Sequence, residues 1–196
     1  MSTIIMNDVA MEAKVGERVL NVARRNAAHI GFLCDNAGTC QLCRCQVQEG
    51  AEYLSPPSEA EKAWIPEAKL AEGQRLACQL IVREQGEVKI QSYAEYIRQL
   101  VLTLVDPPPS TNTVQNLEPL VKHLLTDFAD QLALFPRNIL SRLNELGPVR
   151  FAFPIQDTDR FAEDVSRLVE RMNAGVERIE RKPRETVKPS EETPST

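Results

Sequence analysis

Basic clusters, long apolar runs and phosphate-cradling glycine loops are all missing from this chain. Its 196 residues carry a formal charge of −5, and no stretch is basic enough for a nucleic-acid surface, so no nucleic-acid partner is expected. The longest apolar run, Leu100-Val101-Leu102-Thr103-Leu104-Val105, falls far short of a bilayer span. No GxGxxG or P-loop pattern occurs, so a flavin or nicotinamide would have to come on a partner. The opening residues Met1-Ser2-Thr3-Ile4-Ile5-Met6 have neither the basic region nor the apolar core of a signal peptide. A secreted, disulfide-stapled chain is therefore not expected; reduced thiols in an intracellular compartment, on the cytoplasmic side, are. No set of side chains reads as a site that binds and turns over an organic substrate, so a stand-alone enzyme is not expected.

What the chain does have is five cysteines. Cys34, Cys40, Cys43 and Cys78 form C-x5-C-x2-C followed, far along the chain, by one more cysteine. Three thiolates from one loop and a fourth from elsewhere suit a [2Fe–2S] cluster. The backbone of Asn36, Ala37, Gly38 and Thr39 would wrap it, with Gly38 permitting the tight winding. Loop N–H groups could then point at a cluster that is negative even when oxidised. A structural zinc site usually takes two C-x2-C pairs, and Cys78 has no second cysteine or histidine at that spacing. A thioredoxin-like Cys40-x-x-Cys43 should open a helix, yet Cys43-Arg44-Cys45-Gln46-Val47-Gln48 alternates like a strand. Cys45 shares a face with Val47 there and reads as a buried free thiol.

The flanking residues carry a resemblance. Residues 16 to 48 read G-E-R-V-L-N-V-A-R-R-N-A-A-H-I-G-F-L-C-D-N-A-G-T-C-Q-L-C-R-C-Q-V, and Arg75-Leu76-Ala77-Cys78-Gln79 follows later. This is similar to the adrenodoxin-type [2Fe–2S] ferredoxins over about residues 1 to 98. The resemblance implies a β-grasp fold, one-electron transfer, and Cys34, Cys40, Cys43 and Cys78 as ligands. It departs at Arg44, where such proteins often have histidine, which bears on partner choice and potential. The residues read the same way locally. Thr3 to Met6 and Val9 to Lys14 are strands about an Asn7-Asp8 turn, and Gly16 ends the hairpin. Val19, Leu20, Val22, Ala23 and Ala27 make a helical stripe. Ser58 with Glu61 is a capping box for a second helix that Pro66 bends or splits. Val88, Ile90 and Ser92 alternate as a closing strand. Glu59, Glu61, Glu67 and Glu72 form either a solvated face or, as the resemblance implies, a docking surface for a redox partner.

The organisation is α+β: a ferredoxin-like domain (1–100), a Pro-rich linker (101–113), an amphipathic helical region (114–181) and a disordered tail (182–196). Leu117, Leu120, Val121, Leu124, Leu125, Phe128 and Leu132 follow helical spacing. Pro136 should stop or kink that run, and Gly147-Pro148 should end it. Phe161, Val165, Leu168, Val169, Met172, Val176 and Ile179 make a third stripe. Such stripes either face each other in a small bundle or rest on lipid or a partner assembly. With Ala28-His29-Ile30-Gly31-Phe32 and Gln48-Glu49-Gly50-Ala51-Glu52-Tyr53-Leu54-Ser55, the whole resembles the iron–sulfur proteins of the chlorosome envelope in green photosynthetic bacteria. That resemblance implies an electron carrier held at a lipid monolayer and acting on the redox state of quinones, with a redox protein or quinone as partner. A structural envelope protein with a secondary cluster, or a ferredoxin subunit of a larger oxidoreductase, are the alternatives.

Overall fold

Asn7 and Asp8 both take left-handed backbone conformations, with φ of 52° and 64°. That is the mirror-image turn a two-residue hairpin needs. It joins β1 (Ser2–Met6) to β2 (Val9–Ala13) in antiparallel register. The computed structural model describes residues 2–108, 111–155 and 157–180; the tail expected to be disordered lies outside them. Along β1 the side chains alternate between buried and half-buried, which places Ile4 and Met6 in the core.

Helix α1 (Val19–Arg25) follows, then the cysteine loop and β3 (Arg44–Glu49). Helices α2 (Glu59–Trp64) and α3 (Glu67–Ala71) are separated at Pro66, whose missing N–H and fixed φ break the run. Strands β4 (Gln74–Leu76) and β5 (Glu87–Ser92) complete a five-stranded sheet of order β2-β1-β5-β3-β4. Only β1 and β5 run parallel. Val19, Leu20, Val22 and Ala23 of α1 join Ile4, Met6, Leu76, Val88 and Ile90 in one buried cluster. Each such side chain contributes about 1.5–3 kcal/mol when fully buried. The fold is a β-grasp, with α1 held in the curve of a mixed sheet.

The second half departs from expectation in two places, and it decides a question the sequence left open. The expected domain boundary at residue 100 falls inside α4 (Tyr93–Val105), whose N-terminus is capped by Ser92. Helix α5 (Thr113–Ala152) continues through Pro136, whereas at Gly147 (φ 75°), where Gly147-Pro148 is expected to end the run, the backbone leaves helical geometry and the helix kinks. A helical proline costs roughly 3 kcal/mol, and contacts on both sides of Pro136 help to hold the run. Gln131 donates to the Trp64 carbonyl, and Arg142 donates to the Ala37 carbonyl. The apolar stripes do not bury one another. Val121, Leu124, Leu125, Phe128, Leu132 and Phe135 of α5, and Val165, Val169 and Met172 of α6 (Thr158–Glu180), are exposed.

Polar residues of α5 and α6 face the ferredoxin unit instead. Asp127 accepts from Arg44 (2.7 Å), Lys69 (3.0 Å) and the Tyr93 hydroxyl (2.6 Å). Although burial opposes it, Tyr93, Arg44 and Lys69 together hold the Asp127 carboxyl below its ordinary value. Asp164 of α6 binds Arg24 at 2.6 Å, and Phe161 meets Phe32 edge to face. The acidic surface is also smaller than the sequence implies: Glu61 is fully buried, and Lys69 is engaged by Asp127 and Asp130.

Glu95 ties α4 to the hairpin end of the sheet. It accepts from Arg98 (2.5 and 2.8 Å), from His29 (3.0 Å) and from Gln99 (3.2 Å). Arg98 first, and His29 and Gln99 after it, hold its carboxyl down at about 2 against the cost of burial. A depressed carboxylate stabilises the fold above its unfolded pKa, and that contribution disappears as pH falls through the folded value. Glu95→Gln should therefore lower stability at pH 7 by about 2 kcal/mol. The gap from wild type should close as the pH falls from about 4.5 to about 2. Paired thermal melts across that range check it.

Candidate metal centre

The fourth cysteine reaches the loop because a buried carboxylate pulls its strand inward. Glu61 accepts from Arg75 Nε (2.8 Å) and Nη2 (3.1 Å), from Leu76 N (3.0 Å) and from Ser58 N (2.8 Å). One side chain thus caps α2 and fixes β4. Ala77 N then donates to the Cys43 carbonyl at 3.0 Å, stitching the Cys78 segment to the cysteine loop. Arg18 Nη1 donates to the Cys78 carbonyl (2.6 Å), and Gln79 Nε2 to the Asn36 carbonyl (3.1 Å) and to Cys78 Sγ (3.4 Å).

Cys34, Cys43 and Cys78 are buried and Cys40 is partly so; all are free thiols. They stand as two pairs. Cys40 donates to Cys34, which brings Cys34 down to about 5 and pushes Cys40 up. Cys43 donates to Cys78, lowering Cys78 and raising Cys43. The backbone of Thr39 and Cys40 and the Thr39 hydroxyl favour the same lowering of Cys34, against the cost of burial. The Leu42 backbone works against the rise at Cys40, and the Cys78 backbone against that at Cys43. Among the described residues no group of three or more Cys, His, Asp or Glu gathers about one point. Thiols that stand two and two, with Gln79 Nε2 on Cys78 Sγ, fit a binuclear centre that takes two thiolates per iron better than a single tetrathiolate zinc, which needs all four about one point. The residues present fit the [2Fe–2S] group.

The loop residues have distinct places. Ala37 N donates to the Cys34 carbonyl, and Asn36 Nδ2 to Asn21 Oδ1 at 3.3 Å. Gly38 has φ +67°, and a Cβ there would meet Gln79 Nε2 at 3.1 Å and Ala60 Cβ at 3.3 Å. Cys45 lies apart from the pairs, fully buried on β3, where burial pushes its thiol up and its Sγ sits 3.6 Å from the Arg75 carbonyl. Sequence reasoning missed Arg18, the Glu61–Arg75 clamp and Gln79. The last two had a faint signal, since Arg75 and Gln79 flank Cys78 in the chain. Arg142 had none.

Residues 3–83 match the model of the 2Fe-2S iron-sulfur cluster binding domain. The chain is 35% identical over 78 residues to a 2Fe-2S ferredoxin of Pseudomonas aeruginosa and spans 70% of that protein, 39% of its own length. It belongs to the [2Fe–2S] ferredoxin family, and its cofactor is a [2Fe–2S] cluster. Within that family it is 46% identical over 104 residues to chlorosome protein J of Chlorobaculum tepidum, covering 53% of this chain and 46% of that one. Chlorosome protein I of the same organism is 39% identical over 100 residues, covering 51% and 41%. The chain spans less than half the length of these two relatives. Among solved structures, the ISC-like [2Fe-2S] ferredoxin of Pseudomonas putida is 23% identical with a TM-score of 0.40, covering 46% of this chain and 91% of that one.

Gly38→Ala should reduce cluster incorporation, because a left-handed φ costs an alanine on the order of 1 kcal/mol and its methyl crowds Gln79. Cys45→Ala should keep full iron and visible absorbance while lowering stability by about 1–2 kcal/mol. Iron and sulfide per chain, with thermal melts, check both.

Proposed function

We propose that this protein is a one-electron carrier whose [2Fe–2S] cluster is ligated by Cys34, Cys40, Cys43 and Cys78. The pairing supports assigning Cys34 with Cys40 to one iron and Cys43 with Cys78 to the other. A bound [2Fe–2S] cluster supplies reversible one-electron transfer at a potential on the order of minus a few hundred millivolts with four thiolate ligands. The protein's part is to hold four thiolates, exclude water from three of them, and set Gln79 Nε2 against Cys78 Sγ. Asn36, Ala37, Gly38 and Thr39 form the wrapping loop.

The carrier sits at a lipid or pigment-particle surface, the chlorosome envelope, and acts there in quinone and photosynthetic redox control. The observation that carries this reading is the placement of faces on α5. At 3.6 residues per turn, Asp127, Gln131, Asn138 and Arg142 share the face turned to the ferredoxin unit. Val121, Leu124, Leu125, Phe128, Leu132 and Phe135 lie about a quarter turn round, with Phe128 67% and Leu132 64% exposed. A helix fastened by polar contacts and presenting apolar residues outward suits an interfacial location. Among the described residues no helix is long and apolar enough to cross a membrane. The likeness to chlorosome proteins J and I supports the same location.

Anaerobically purified protein should contain two irons and two sulfides per chain, in line with one [2Fe–2S] cluster, and Cys34→Ser, Cys40→Ser, Cys43→Ser and Cys78→Ser should each lose it. Zinc in place of iron would overturn the ligand reading. For location, wild type should float with phosphatidylglycerol–phosphatidylcholine vesicles. The Phe128→Asp/Leu132→Asp variant should keep its cluster and bind at least about tenfold more weakly, given about 1.5–3 kcal/mol per buried side chain. Equal flotation of the two, or none by either, argues against the lipid-surface reading.

A further inference from the structure

Two orphaned polar groups lie on the face of α5 that crosses the cysteine loop. Arg142 is 4% exposed and donates through Nη2 to the carbonyl of Ala37, between Cys34 and Cys40. Its Nε has no partner. Its Nη1 is ion-paired with Glu145, whose side chain is 45% exposed, so this counter-charge is half in solvent. One turn earlier, Asn138 is 0% exposed, and neither Nδ2 nor Oδ1 finds a partner. Two turns before that, Gln131 Oε1 accepts from Gln41 Nε2 at 2.6 Å, next to Cys40. The spacing 131, 138, 142 keeps all three on one helical face, so Asn138 lies between contacts to both ends of the loop.

A buried guanidinium with a donor unused, beside an amide with both ends unused, is a costly arrangement in a protein interior. It becomes reasonable when the loop encloses negative charge. A [2Fe–2S] centre with four thiolates carries that charge and carries one unit more when reduced. A fixed positive group nearby then favours the reduced form. Arg24 and Arg44 are also buried beside the loop, yet Arg24 is neutralised by Asp35 at 2.9 Å and Asp164 at 2.6 Å, and Arg44 by Asp127 at 2.7 Å, all carboxylates far less exposed than Glu145. Among the described residues Arg142 has no comparably buried counterion.

We propose that Arg142, with Asn138 beside it, is a positioning residue that α5 lays over the Cys34–Cys40 loop to raise the cluster's reduction potential. The proposal rests on the cluster reading above. It makes α5 more than a tether. The helix that presents Phe128 and Leu132 outward also sets the electrostatics of the loop from within.

The test is a spectroelectrochemical titration of full-length, cluster-loaded protein, with iron and sulfide measured on every sample. Arg142→Gln should lower the midpoint by about a tenfold change in the one-electron equilibrium, about 59 mV. Arg142→Lys should retain most of the wild-type value, since the charge stays. Glu145→Gln removes the half-exposed counter-charge and should move the midpoint the opposite way, upward. Because Glu145 is at the surface, that variant decides the matter even if Arg142→Gln fails to hold iron. An unchanged midpoint in fully loaded Arg142→Gln overturns the proposal. So does an equal fall in the Lys and Gln variants, or a Glu145→Gln midpoint that stays put or falls. Wild type without iron and sulfide would instead defeat the cluster reading itself.

Discussion

Glu61 is the constraint on which the site depends. A carboxylate with no exposure would be intolerable alone, and here four N–H bonds from three residues satisfy it. Those bonds come from separate parts of the chain: the cap of α2, and the Arg75-Leu76 stretch that leads to Cys78. Removing one partner of such a pair typically costs 3–5 kcal/mol. Here it would also release the strand that delivers the fourth thiol. Arg75 extends the same clamp by donating to the Ser55 carbonyl at 2.9 Å, while Cys45 sits against the Arg75 carbonyl. The buried free thiol and the buried ion pair are thus parts of one arrangement behind the ligands.

The helices that follow the sheet act on the same site from outside. Asp127 enters a nest of Arg44, Lys69 and Tyr93, with the Arg44 guanidinium 4.0 Å from the centre of the Tyr93 ring. Arg44 directly follows Cys43, so the side chain that departs from the histidine common in adrenodoxin-type proteins is the one α5 takes hold of. Asp164 and Arg171 of α6 do the equivalent on the other side, binding Arg24 and the Ala27 carbonyl. Charged and amide groups fasten both helices, which leaves their apolar positions free for another surface. A helix that used its leucines and phenylalanines to dock on the sheet would have nothing left for lipid.

Much of the β-grasp was legible in the sequence because its signals are local. The Asn7-Asp8 turn, the alternation in β1, β3 and β5, the Ser58–Glu61 box and the break at Pro66 each depend on residues a few positions apart. The spacing of Cys34, Cys40 and Cys43 is likewise read within one loop, and with Cys78 it gave the cysteines proposed here as ligands. Periodicity also named the helical stripes of the second half. It could not say which way they face, because a stripe looks the same whether it meets a neighbouring helix or a lipid surface.

Only the tertiary structure decided the rest, and the reason is distance along the chain. Arg24 meets Asp164 across 140 residues, Arg44 meets Asp127 across 83, and Arg142 reaches Ala37 across 105. No window of sequence holds both halves of such a pair, and each charged residue alone reads as ordinary surface charge. For the same reason the boundary expected at residue 100 lies inside α4, and Glu61 proved a buried hub although its sequence signal was only a helix cap. The sequence by itself determined the cofactor chemistry and the local elements. The path of α5 over the cysteine loop was settled by long-range charge pairing, which becomes visible only once the chain is folded.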